Sequence, residues 1–305
     1  MPKTQYASLP HRDIKLAYEE FGKPSDPALL LIHGLNTQRI GWPDVFCQSI
    51  ADQGFRVIRF DNRDIGQSTK CTHLGRANIP WMMLLRTLGL PAKSPYQIQD
   101  MVEDTKGLLD YLDIKAAHIA GASMGGMIAQ LFASLLPNRT LSLISIMSTS
   151  GKRGLPGPTT EVKKHLFSSP KDKSEAGIIE HEMKFWRLIS SQTLKPSEEA
   201  LSRFITESVN RDYPNRGGAE RQFAAILNNG SRVKHLKHIK APTLVIHGNQ
   251  DPLIPPEGGI DTAKHIPKAK LALIDHMGHD IPTPLIEQLS GLISNHCHES
   301  LKLVS

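Results

Sequence analysis

The chain of 305 residues holds only three cysteines, Cys47, Cys71 and Cys297, an odd number with no close pairing of the kind that holds a metal. A disulfide framework and a structural zinc site are therefore not expected, and free thiols point to a reducing compartment. Nowhere do about 18 apolar residues run together, which argues against a membrane-spanning helix and a membrane partner. The first twenty residues, MPKTQYASLPHRDIKLAYEE, hold no apolar stretch of signal-peptide length, so the expected location is cytoplasmic. Internal repeats and low-complexity tracts are missing too.

What is present describes an ordinary folded protein. Hydrophobic residues make up 39% and charged residues 22% of the chain, too polar for an integral membrane protein and too apolar for a disordered one. The length suits one core domain with an excursion. A formal charge of +6 raises the question of an anionic partner. The basic residues gather mildly at Lys163 to Lys173 and at Arg232 to Lys240, the latter with His235 and His238 between. Neither run interleaves aromatics, and no helix-turn-helix, zinc-finger or RNA-binding signature accompanies them, so both are expected to be solvated surface and no nucleic-acid partner is expected. The 14 histidines are scattered, and His296-Cys297-His298 has no supporting ligands nearby in sequence, so no metal is expected.

Short apolar runs bounded by Gly, Pro or Asp recur along the chain: Ile14 to Glu20, Ala28 to His33, Phe55 to Phe60, Ala117 to Gly121, Leu141 to Met147, Pro242 to His247 and Lys270 to Ile274. ALLLIH, FRVIRF and PTLVIHG are continuous rather than alternating, as strands buried on both faces of a parallel sheet are. Helical spacing follows at Pro43 to Gln53, Tyr96 to Leu112, Met124 to Leu136, near Pro256 to His265, and from Pro282 to about His296. The pattern predicts a doubly wound α/β fold, a mostly parallel sheet flanked by helices.

Two segments break the alternation. From 151 to 238 the chain becomes polar and helical, opening on GKRGLPGPTT and containing PNRGG, and is expected to be a helical insertion over the strand ends. The core domain would then be 1–150 and 239–305. A second irregular stretch, Cys71 to Pro95, holds WMMLLRTLGLP, whose Trp81, Met82, Met83, Leu84 and Leu85 are too crowded for a simple amphipathic face.

The sharpest chemical signal is Gly121-Ala122-Ser123-Met124-Gly125-Gly126, which fits G-x-S-x-G with a strand before it and a helix after it. A serine on a tight strand-to-helix turn has its hydroxyl lifted out of the sheet to a helix N-terminus, where the helix dipole and exposed N–H groups favour a developing oxyanion. Ser123 is the candidate nucleophile and the Met124 N–H the first oxyanion donor. A bare G-x-S-x-G can equally be a packing turn, so partners are required. Asp251 follows the strand PTLVIHG and His279 follows the strand KLALI, each in a loop at a strand's C-terminal end, where open α/β sheets bind ligands. Alone, Asp251 reads as a turn residue and His279 as a surface histidine. Together the order Ser123, Asp251, His279 is that of a nucleophile elbow with its base and orienting acid. His276 and Asp275 compete for the same roles; Gly278 just before His279, which permits a close backbone approach, favours His279.

His33-Gly34-Leu35-Asn36 after the strand ALLLI offers the Leu35 N–H as a second oxyanion donor. Asn36 and Leu253 in these loops, with Trp81 and Met82, are candidates to bind substrate, although the apolar stretch serves equally well to pack the insertion onto the core.

HGLN (33–36), FDNRDIGQS (60–68), GASMGGMIAQ (121–130), GNQDPLIP (248–255) and HMGH (276–279) together resemble the α/β-hydrolase superfamily over most of the chain, and look most like a carboxylesterase branch that includes the aclacinomycin methylesterases. The resemblance implies a hydrolase core with a helical cap, an acyl-enzyme mechanism on a small-molecule ester, and no cofactor. It also implies a turn-shaping role for Asp61, Arg63, Gly66 and Ser68 and a supporting role for His33. Relatives with an aspartate at the elbow, the haloalkane dehalogenases and epoxide hydrolases, are disfavoured by Ser123. Hydrolysis of amides, lactones or C–C bonds, perhydrolysis, and a non-catalytic ligand-binding module stay open, as does the oligomeric state.

Overall fold

The computed structural model describes residues 2–9, 13–88, 90, 93–212 and 217–303. Residues 214–216 of PNRGG, and 89 and 91 of the apolar stretch, lie outside them. In chain order the elements are β1 (Gln5–Leu9), β2 (Ile14–Phe21), β3 (Ala28–Ile32), α1 (Asp44–Ala51), β4 (Arg56–Phe60), α2 (Ile79–Thr87), α3 (Ile98–Tyr111), β5 (Ala117–Ala122), α4 (Met124–Leu135) and β6 (Thr140–Ile146). Five helices then come in succession: α5 (Thr160–Leu166), α6 (Glu175–Ile189), α7 (Glu198–Asp212), α8 (Gly218–Asn229) and α9 (Val233–Leu236). The chain returns through β7 (Thr243–Gly248), α10 (Glu257–His265), β8 (Lys270–Ile274) and α11 (Ile286–Leu301).

The strands form one eight-stranded sheet in the order β1-β2-β4-β3-β5-β6-β7-β8. β1, β2 and β4 pair antiparallel, and every pair from β4 onward is parallel. The β3 residues Leu29, Leu30, Leu31 and Ile32 are fully buried because helices cover both faces. Their even-numbered members join a core with α3 and α4, and their odd-numbered counterparts one with α1 and α11. Each such leucine contributes roughly 1.5–3 kcal/mol by leaving water.

Three expectations need correction. β1 was not foreseen: QYASL is an edge strand with three exposed residues, so no apolar run marks it. The stretch expected to be irregular contains α2, started by Asn78, whose side chain accepts from the Trp81 N–H, and by Pro80 in the first turn. Arg232, expected in solvent, is buried; its guanidinium donates to Gln130 Oε1, Asn229 Oδ1 and the Thr149 carbonyl, which tie the exit of β6 to the start of α9. Burial holds this guanidinium down to about 9.

Cys47, Cys71 and Cys297 are unbridged and buried, and burial pushes their thiols up to about 12, 11 and 12. Among the described residues no helix is long and apolar enough to cross a membrane.

Candidate active site

Parallel strands β3, β5, β7 and β8 all end on one edge of the sheet, and the loops that leave them there carry His33 to Asn36, Ser123, Asp251 and His279. Ser123 has φ 56° and ψ −119°, a conformation that L-residues rarely adopt and that the surrounding backbone enforces. Two glycines make the turn possible. A Cβ on Gly121 would stand 2.1 Å from the Gly125 carbonyl oxygen, and one on Gly125 would stand 2.1 Å from that of Ile32. α4 thus packs backbone to backbone against the end of β3. Gly125→Ala is expected to lower stability by about 3 kcal/mol or more, read from the urea midpoint, because its contact is rigid backbone rather than a movable side chain.

Ser123 is half-buried, so its hydroxyl is reachable; its N–H donates to the Ile146 carbonyl, which leaves the side chain as the free part of the turn. As the first residue of α4, Met124 has an N–H without an acceptor within the helix. The loop after β3 comes up against the same point: a Cβ on Gly34 would lie 2.9 Å from Ser123 Cβ. Leu35 follows directly. The Gly34 N–H donates to His33 Nδ1 (2.7 Å), so the His33 proton sits on Nε2, beside the Gly41 carbonyl. Burial, countered in part by that carbonyl and reinforced by His279, pushes His33 down to about 3, so it is neutral and holds the loop.

His279 Nδ1 and Asp251 Oδ2 are hydrogen-bonded at 2.6 Å, both side chains buried. A carboxylate can only accept, so Nδ1 carries the proton and Nε2 is free to act as a base. The other Asp251 oxygen accepts from the N–H groups of Leu253 (2.9 Å) and Ile254 (2.8 Å), and His247 Nε2 lies 3.4 Å from Oδ2. Burial alone would raise the Asp251 carboxyl, but His279 and His247 outweigh it and hold the group down to about 2. Asp251 is therefore ionised at any working pH. The competing pair is elsewhere: Asp275 accepts from Asn249 Nδ2 at the surface, and His276 is exposed. Ser123 Oγ makes no hydrogen bond among the described residues.

The helices between β6 and β7 touch these loops directly. The His279 N–H donates to the Ile189 carbonyl at the end of α6 (2.8 Å), an approach that Gly278 allows, since a Cβ there would lie 2.5 Å from the Ser191 nitrogen. The Ser191 N–H donates to Asp280 Oδ1, and burial pushes that carboxyl up to about 6. On α8, Gln222 accepts from the Asn36 N–H (3.0 Å) and donates to the Arg63 carbonyl, while Arg221 pairs with Asp64. Asp61 accepts from the Arg39 and Gln67 N–H groups and Ser68 Oγ donates to the Asp61 carbonyl, which makes FDNRDIGQS a braced turn.

Of the four residues considered for substrate contact, Asn36 (φ 55°) is exposed and Leu253 half-buried in the two loops just described. Met82 is buried with Ala224 where α2 packs on α8, and Trp81 on the same helix is 54% exposed. Sequence reading missed His247, Ser191, Asp280 and Gln222. Only His247 carried a signal, as a polar residue in an otherwise apolar strand.

A strained serine between a strand and a helix, with a histidine and an aspartate at later strand ends, defines a class of protein. The chain belongs to the alpha/beta hydrolase fold family, whose model matches residues 27–282. It is similar to the rhodomycin D methylesterase DnrP of Streptomyces peucetius, 27% identical over 93% of this chain and 95% of that one. It is 28% identical to the rhodomycin D methylesterase DauP of Streptomyces sp. (strain C5), with the same coverage. Solved structures of like fold include the enol-lactonase from Burkholderia xenovorans LB400 (TM-score 0.73, 18% identity, covering 96% and 100%). Another is the meta-cleavage product hydrolase from Pseudomonas fluorescens IP01 (TM-score 0.74, 18% identity, covering 98% of each).

Proposed function

We propose that this protein is a serine esterase that cleaves small-molecule carboxylic esters through an acyl-enzyme, with Ser123 as nucleophile, His279 as base and Asp251 as its orienting acid. The observation that carries this reading is the 2.6 Å bond from Asp251 to His279 Nδ1, on the same sheet edge as a serine held at φ 56°. His279 Nε2 takes the Ser123 proton as Oγ bonds to the ester carbonyl carbon, and the carbonyl oxygen becomes an oxyanion facing the Leu35 and Met124 N–H groups. The C–O bond to the alcohol breaks, and the alcohol leaves with the proton held on Nε2. Water then adds to the acyl-enzyme, giving its proton to Nε2, and the collapse returns that proton to Ser123 Oγ as the acid departs. These steps call on no cofactor.

In this reading residues 151–238 are a cap on a core of 1–150 and 239–305. Asn36 and Leu253 line the reacting end of the cleft, with Trp81 and Met82 at the α2 rim. The similarity to two methylesterases favours a small alcohol, and three unbridged buried cysteines fit a cytoplasmic location. The test is a panel of methyl and p-nitrophenyl esters set against matched amides, lactones and a C–C cleavage substrate, with mass spectrometry of the protein after a fluorophosphonate. Ester turnover that exceeds the others, with the label on Ser123, is expected. A label elsewhere, or faster turnover of a non-ester, would remove this reading.

A further inference from the structure

β7 carries an imidazole that the proposed mechanism does not use. His247 follows Leu244, Val245 and Ile246 and is buried as fully as they are. Keeping a histidine there carries two costs. Its Nδ1 is buried and has no hydrogen-bond partner among the described residues. Gly259, in the first turn of α10, leaves room for the ring, since a Cβ on it would stand 2.5 Å from Nδ1, and glycine is a poor residue inside a helix. The other nitrogen is engaged. Nε2 lies 2.8 Å from the Ile254 carbonyl oxygen and 3.4 Å from Asp251 Oδ2, so it faces two acceptors and carries a proton. The Ile254 N–H donates in turn to Asp251 Oδ1 (2.8 Å), while Oδ2 is the oxygen that meets His279 Nδ1. These contacts close a ring that runs from His247 through the Ile254 peptide to one Asp251 oxygen, and from the other oxygen back to His247.

An aspartate carboxylate turns broadly about its last side-chain bond, and that turn would carry Oδ2 away from His279. Asp251 to Ile254 is loop, whereas His247 is fixed inside the sheet, opposite Leu273 of β8. We propose that His247 is a positioning residue for the reaction, one that ties this loop to β7 and holds the Asp251 carboxylate turned toward His279. It acts on the base only through Asp251, by pinning the Ile254 peptide that grips Oδ1 and by setting its own N–H beside Oδ2. The two costs of keeping an imidazole in the strand are thereby explained. The inference rests on the reading of Asp251 and His279 as acid and base, and it has one readout that needs no turnover.

The experiment compares His247→Phe, which keeps a ring without the donor, with His247→Gln, whose amide N–H reaches the place of Nε2. His247→Asn, whose amide reaches only the place of Nδ1, stands in for the first should it not fold. With a p-nitrophenyl ester, His247→Phe is expected to lower kcat about tenfold with KM changed less than about twofold, and His247→Gln to recover most of the loss. Made in Asp251→Asn, the same substitution to Phe is expected to cost less than about twofold, because orienting a side chain that no longer supports the base gains nothing. Equal losses in both backgrounds, or equal losses with Phe and Gln, would overturn the proposal while leaving the esterase intact. In parallel, proton NMR follows the His279 Nδ1–H, shifted far downfield by its carboxylate partner and assigned by its disappearance in Asp251→Asn. In His247→Phe this proton is expected to exchange with water at least about fivefold faster, and in His247→Gln to stay near wild type. That result upholds His247 even if wild type turns over no ester, the outcome that would count against the esterase reading. A proton missing from wild type, or one indifferent to His247→Phe, overturns the proposal.

Discussion

Ser123→Ala is expected to lower kcat/KM for an ester by about four to six orders of magnitude while leaving the protein folded. In the proposed mechanism the size follows from covalency: without Oγ the acyl-enzyme would not form, and only binding and the N–H groups of Leu35 and Met124 would act on a water that attacks directly. The fold should not suffer, because Ser123 is half-buried and its hydroxyl makes no hydrogen bond among the described residues. Relief of the φ 56° strain is not expected either, since alanine keeps a Cβ. Steady-state rates with a p-nitrophenyl ester and a urea melt of the variant check both halves. Retention of near wild-type turnover would exclude Ser123 as nucleophile.

The next largest effect is expected from Asp251→Asn, a loss of about 10⁴ in kcat. Geometry survives, but the amide nitrogen can now donate toward Nδ1, so the proton moves to Nε2 and the base is lost. The substitution also reports on stability. The Asp251 carboxyl, held down to about 2, contributes roughly 2 kcal/mol that is present above the unfolded value near 3.8 and disappears as pH falls through about 2. The variant should lack that acid-side decline. Asp280 has the opposite sign: raised to about 6, it adds stability below about 3.8 that is lost as pH climbs through 6. Asp280→Asn, which keeps an acceptor for the Ser191 N–H, should therefore stay active and melt no lower than wild type at pH 8. Melting temperatures of both variants from pH 3 to pH 8 separate an orienting acid from a neighbour that merely lies beside the histidine.

The parts of this fold legible in the sequence are those where one local pattern settles the outcome. ALLLI is apolar throughout, and RVIRF and TLVIHG carry apolar residues on both faces, because both sheet faces are covered, and the elbow announces itself because only small residues fit where α4 meets β3. β1 escaped notice because an edge strand with one buried face has little to mark it. α2 was obscured because its apolar residues serve two surroundings at once, Met82 inside and Trp81 outside. Arg232 sits in a basic run, yet neutral oxygens surround it, two of them, on Gln130 and Thr149, far along the chain. Gln222 belongs to a helix whose own periodicity says only which way it faces, and Ser191 to the loop just past the end of another. What they meet depends on how five helices settle over the strand ends, which no window of the sequence contains.

The two seams between the helices that follow β6 and the strand-end loops have a consequence for how such a molecule can be altered. At one, Gln222 grips both the loop that bears Leu35 and the turn that bears Arg63; at the other, the end of α6 holds the backbone of His279. The five helices and the loops beneath them are thereby yoked. A transplanted set of helices would leave the Leu35 loop and the His279 backbone unsupported unless it also brought counterparts of Gln222 and of the Ile189 carbonyl. Grafting within the five helices, away from both seams, is the route by which they can be reshaped while the loops beneath them stay in place.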